Sequence, residues 1–216
     1  MALKENPDQH HPPTPDGTLA YRQAMGETPA PVKPTPGDAF NAARQRFRAG
    51  GKLDMVALAE QLGISRATLY RWTGDRDRLL ADILIAELHD LIRAATTRAT
   101  GTGVEHLESA IGWFLDTLAG LPALRAFLIN ESDDGLRMVT SPTGPVRPRI
   151  VETVTELINR ETVDGHYRPP APPELLADGI IALAERYLHN GGDPALNPDP
   201  TTARTIAGLL LREPCT

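Results

Sequence analysis

Arg66, Ala67, Thr68, Tyr70, Arg71 and Arg76 lie within one short stretch, and together they offer hydrogen bonding to nucleic acid. A guanidinium pairs bidentately with the O6 and N7 edge of guanine, and a Thr or Ala methyl meets the methyl of thymine. A tyrosine hydroxyl and a further arginine suit phosphate oxygens, which position a protein without specifying sequence. On this reading Arg66, Ala67, Thr68 and Arg71 face base edges, while Tyr70 and Arg76 face phosphates. Taken singly, each arginine is an ordinary solvated surface charge. The frame around them gives them meaning.

That frame is residues 55–74, MVALAEQLGISRATLYRWTG. In a helix-turn-helix two helices cross steeply around a tight turn. The crossing needs a small residue at the contact, a turn glycine, and apolar seats for the second helix. Ala59 is the small contact, and Gly63 follows four residues later. Leu58, Leu62, Ile64 and Leu69 are the seats. Glycine accepts the left-handed conformation such a turn requires. The competing reading is a plain helical hairpin with a glycine turn. The second helix would enter the major groove with its N-terminal residues toward the bases.

The elements that hold this motif are all helical. Ala39, Ala43 and Phe47 form one stripe of a first helix, which Gly50-Gly51 stops. Asp54 caps the next helix, to about Leu62, and Ser65 caps a third, Arg66 to Trp72. Gly74-Asp75 precedes a long fourth helix to about Thr97. Further helices are expected to Gly120, from Pro122 to Glu131, from Val146 to Thr162, from Glu174 to Asn190 and from Thr201 to Arg212. The stretch 133–148 reads as turn-rich. No segment alternates as a strand does, so the fold class is all-α. The first 37 residues contain eight prolines and read as a flexible arm, with TLAYRQAM at 18–25 as a possible short helix. The expected organisation is an arm at 1–37, a DNA-binding domain at 38–82 and a larger helical domain at 83–216.

The net charge of −6 is unevenly spread. Residues 38–80 carry eight Arg/Lys against five Asp/Glu, a net of +3, while residues 81–216 carry −8. A basic module joined to an acidic one suits a head that meets phosphates and a body that does not. The single cysteine, Cys215, permits no internal disulfide. No apolar run approaches the ~20 residues of a membrane span, and the N-terminus has no signal-peptide core. The expected location is the cytoplasm. The histidines show no metal-ligand spacing, and there is no phosphate loop or nucleophile elbow. No metal, cofactor or catalytic set is expected.

The motif resembles the TetR family of regulators through Ala42-Ala43, Phe47, Gly51, Leu58-Ala59, Gly63-Ile64-Ser65, Thr68-Leu69-Tyr70 and Arg76-Asp77-Arg78-Leu79-Leu80. Thr73 stands where that family often has an aromatic, and Arg76-Asp77 replaces its Lys-Glu. The resemblance implies a homodimer on a palindromic double-stranded DNA operator, repressing until a small-molecule effector binds. The segments WFLDTLAGLPALRAFLINE and GPVRPRIVETVTELINRE are similar to the ligand domain of the QsdR-type group, associated with lactone degradation genes. Where that group shows a single glutamate, this chain has Glu131-Ser132-Asp133-Asp134.

In such a fold the effector sits among the fifth to eighth helices. Trp113, Phe114, Leu118, Phe127 and Tyr187 are the candidate apolar lining, with Asn130, Arg137 and Arg149 as polar groups. Plain core packing competes with this for each aromatic. A buried arginine there would point to an anionic or carbonyl-bearing ligand. The last two helices carry wide apolar faces, and Leu176, Ile180, Ile181, Ala184, Ile206, Leu209 and Leu210 are candidates for the dimer seam, although part of each face must pack inward. Two other functions remain open: an enzyme sharing a helical fold, and an interaction module with a degenerate helix-turn-helix.

Overall fold

Thr35 and Asp38 cap one another where the described chain begins: the Asp38 N–H donates to Thr35 Oγ1 at 3.2 Å and the Thr35 N–H to Asp38 Oδ2 at 2.8 Å. This reciprocal box starts α1, Pro36–Arg48. The structure is a computed structural model that describes residues 33–189 and 200–212. The expected helix at 18–25 lies outside them. Among the described residues all regular structure is helical.

Ala39, Ala43 and Phe47 are the buried stripe of α1, as their spacing requires. Asp54 then caps α2, Met55–Leu62, accepting from the N–H groups of Val56 and Ala57. Gly63 takes φ 64°, ψ 31°, and the Ile64 N–H returns to the Ala59 carbonyl at 3.0 Å. Nothing lies within 4 Å of where a Gly63 Cβ would stand, so its backbone conformation alone calls for glycine. Ser65 caps α3, Arg66–Thr73, and Asp75 caps α4, Arg76–Arg98.

At 23 residues α4 is about 35 Å long at 1.5 Å per residue. It packs on α1 and α3 near its start and on α5 and α7 further along. The domain boundary expected at residue 82 thus falls inside one helix, and Thr35–Thr216 forms one unit. The body follows as α5 (Val104–Gly120), α6 (Pro122–Thr140), α7 (Arg147–Val163), α8 (Pro173–His189) and α9 (Pro200–Leu211).

The turn-rich stretch expected at 133–148 is instead helical as far as Thr140. Gly135 is the reason: a Cβ there would stand 2.7 Å from Glu131 Cβ and 3.2 Å from the Phe127 ring. Glycine therefore lets Phe127 lie along its own helix, while Val139, one turn on, is buried. Burial on one face outweighs the weak helix propensity of Asp and Gly.

The last helix is tied down by polar contacts. Arg212 donates through Nε and Nη2 to Glu108 of α5 at 2.5 and 2.6 Å, and Arg204 pairs with Asp116. The buried Tyr167 hydroxyl donates to the Leu211 carbonyl at 2.7 Å. Burial, with the Glu108 charge second, pushes the Tyr167 pKa up to about 12. The neutral form is the bonded form, so its stabilisation is complete below the unfolded-state value near 10 and is lost as pH rises toward 12. In urea titrations between pH 9 and 12, Tyr167→Phe should be less stable than the parent at pH 9. Its deficit should shrink as pH rises, and a constant deficit would deny the hydroxyl this role.

Candidate nucleic-acid interface and effector cavity

Leu69 is fully buried beneath α3 and Trp72 is half-buried beside it, which leaves the opposite face of the helix to solvent. Arg66, Ala67, Tyr70 and Arg71 occupy that face and are exposed, Tyr70 at 47%. Their spacing makes one contiguous surface on a helix. Among the described residues no salt bridge involves Arg66 or Arg71. Thr68 is half-buried: its N–H donates to Ser65 Oγ, and its own hydroxyl stands 2.9 Å from that oxygen. Thr68 thus serves the helix cap.

Arg76 is not on this face. Its Nε donates to the Leu53 carbonyl at 3.0 Å, Nη1 donates to Glu131 Oε2 at 3.0 Å, and Nη2 pairs with Glu131 Oε1. The Glu131 hydrogen bonds, against the cost of burial, hold the guanidinium more firmly protonated than usual. A partner 55 positions away on α6 captures the side chain expected to reach phosphate. Spacing within the motif carries no sign of such a partner.

The expected ligand residues are divided among four hollows and the open surface. Phe114 and Leu118 of α5 line a narrow cavity of about 30 Å³, with Leu88 of α4, Leu124 and Val139 of α6, Val146, Arg147 and Ile150 at the start of α7, and Ile181, Ala184 and Glu185 of α8. Trp113, about 100° round the helix from Phe114, faces a separate open groove of about 660 Å³ against α9, with the Arg98 guanidinium 5.0 Å from its ring centroid. Phe127 and Asn130 line a hollow against the α1–α2 turn, and Phe127 meets Phe47 with ring centroids 5.9 Å apart. Arg137 borders an open cleft beside Arg76 and Glu131. Arg149 is exposed, with its Nη1 only 3.6 Å from Glu152. The side chain of Tyr187 lies outside the described residues.

The cationic side chain in the described lining of this cavity is Arg147, which the sequence reading missed. Its Nε donates to Glu185 at 2.7 Å and its Nη1 to Asp178 at 2.6 Å. A signal existed: Arg147 shares the stripe of Ile150 and Val154 at i, i+3 and i+7, whereas Arg149 falls with Glu152 and Glu156.

The dimer candidates also divide. Leu176, Ile180, Ile181 and Ala184 are buried within the single chain, so they belong to its own core. Their periodic face turns toward α7 and the cavity because α8 packs along α7. Ile206 and Leu209 remain exposed and Leu210 half-buried, with Leu175 exposed and Leu183 half-buried on α8. No single described helix is long and apolar enough to cross a membrane.

Residues 102–212 match the family model described as tetracyclin repressor-like, C-terminal domain. No curated protein matches the sequence. Among solved structures, the transcriptional repressor QsdR of R. erythropolis is similar, with 27% identity, a TM-score of 0.71 and coverage of 84% of this chain and 96% of that one. AlkX of Dietzia sp. strain DQ12-45-1b (21% identity, TM-score 0.55) and FadR of Bacillus halodurans (16%, 0.50) share the fold, each with 84% of this chain and 96% of its own covered. The family model spans more than half the chain, and the QsdR structure covers most of it: the protein belongs to the TetR family of transcriptional regulators and is not an enzyme.

Proposed function

We propose that this protein is a ligand-responsive repressor that binds a palindromic operator as a homodimer and leaves it when a small, largely apolar or lactone-like effector enters the α5–α8 cavity. Residues 38–82 act as the DNA-binding part and residues 83–216 as the effector and dimerisation part. The observation that carries the reading is the exposed face of α3, with Arg66, Ala67, Tyr70 and Arg71 outward over a buried Leu69. Arginine there reads guanine, and the Tyr70 hydroxyl suits a phosphate.

Release is a matter of geometry. Two recognition helices must enter successive major grooves, about 34 Å apart. Helix α6 contributes Leu124 and Val139 to the cavity, and also carries Phe127 against Phe47 and Glu131 against Arg76. An effector that parts the cavity walls displaces α6, and α6 holds the head at two points. The effector acts only through its differential affinity for the arrangement that no longer fits DNA. The outward apolar residues of α8 and α9 supply the seam between subunits.

In a footprinting and fluorescence-anisotropy series against salt, the protein should protect a site of dyad symmetry near its own promoter. Arg66→Ala should weaken operator binding about 10- to 100-fold, and Tyr70→Phe less. Loss of Arg66 without change in specific binding would sink the assignment of the α3 face. In sedimentation velocity, Ile206→Glu should convert a dimer to monomer and abolish operator binding; a dimer that persists would place the seam elsewhere. Glu131→Gln should shrink the effector-induced drop in operator affinity by about 0.5–2 kcal/mol, the usual range for a coupling residue. An undiminished drop would show that the Arg76–Glu131 link carries no coupling.

A further inference from the structure

Among the described residues, Arg147 and Glu185 are the charged side chains lining the α5–α8 cavity; the other walls are Leu, Val, Ile, Phe and Ala side chains. The Arg147 side chain is 12% exposed and that of Glu185 16%. Asp178, half exposed, takes a second guanidinium N–H from the solvent side. The Arg147 guanidinium is thus engaged by two carboxylates at the rim of a hydrocarbon space.

This arrangement decides what kind of head group the cavity accepts. A cavity built for a carboxylate ligand would present an arginine that lacks an internal acid, ready for bidentate pairing. Here that geometry is taken. A ligand carboxylate would stand beside Glu185 in a medium of low dielectric, where like charges repel strongly, or would drive Glu185 into hydrocarbon. A neutral oxygen meets neither obstacle. It can accept from the guanidinium, or a neutral O–H or N–H can donate to Glu185, and the charge balance stays as it is.

Resting on the reading of this cavity as the effector site, we infer that the effector is an uncharged amphipathic molecule. It has a hydrocarbon body and a single neutral carbonyl, hydroxyl or amide head at Arg147, and Glu185 is the specificity residue that turns carboxylates away. The cavity of about 30 Å³ has no room for such a body, so binding must part the side chains of α5, α6 and α8.

The test uses the full-length protein and four ten-carbon probes: 1-decanol, decanamide, decanoate and decane-1-sulfonate, the last ionised at every working pH. Binding is read by isothermal titration and thermal shift without DNA, then by release from the operator. The neutral probes should bind at least about tenfold more tightly than the two anions, the scale of one close like-charge contact. Glu185→Gln should narrow or reverse that ratio by strengthening the anions. Asp178→Asn, at a half-exposed position, should do so more weakly and gives a second variant if the first is unstable. Anions binding as tightly as the neutral probes to the parent protein would overturn the inference and leave the effector site standing. Failure of all four probes to bind would overturn the reading of the cavity itself.

Discussion

Helix α4 must belong to two cores at once, and much of the molecule is arranged around that constraint. Its buried residues run from Leu79 to Ala95 and include Ile83, Leu84, Leu88, Leu91 and Ile92. Near the start they seat α1 and α3, and beyond they seat α5 and α7. Arg44 and Arg48 of α1 converge on Glu87 and Asp90 midway along it, which bolts the head to the helix rather than to a loop. The hydrogen bond from Arg44 holds the Asp90 carboxyl below its usual range, against the opposing effect of burial. An unbroken helix transmits a tilt along its length because its backbone hydrogen bonds resist local bending.

Against that shared helix, α6 is the second and less symmetrical connection. It touches the head through Phe127, packed on Phe47, and through Glu131, which holds Arg76. A half-buried ion pair is weak evidence for stability, because desolvation offsets most of its attraction. Its value here is geometric. A bidentate pair fixes direction as well as distance, and it joins the first residue of α4 to the helix that walls the cavity. Arg147 with Asp178 and Glu185 plays a comparable part between α7 and α8. Both groups of charges join helices that wall the cavity and fix their register.

Much of the head was legible in the sequence because its determinants are local. Caps at Asp54, Ser65 and Asp75 act within three residues, and Gly63 acts through its own backbone. The stripe Ala39, Ala43, Phe47 and the seats Leu58 and Leu69 follow from helical period alone. The body was legible in its helices but less so in its site. Phe114 and Leu118 do face the cavity, whereas Trp113, adjacent in sequence, turns to a separate groove because the helix rotates about 100° per residue. Periodicity marks which residues share a face. It does not say which neighbour that face will meet.

The sequence by itself therefore determined the all-helical class, the helix-turn-helix and the exposed outer face of α3, since each rests on contacts within one or two turns. The tertiary structure decided the rest. It gave Arg76 to Glu131 rather than to solvent and placed Arg147 rather than Arg149 at the cavity. It turned Leu176, Ile180, Ile181 and Ala184 into a subunit's own core. It carried α6 through Asp133-Asp134-Gly135 because Phe127 needed the space a glycine leaves. The physical reason for the first three is that each outcome is set by a partner from another helix, whose position no local pattern of charge or hydropathy encodes; the fourth is settled within α6, by packing of Phe127 over Gly135.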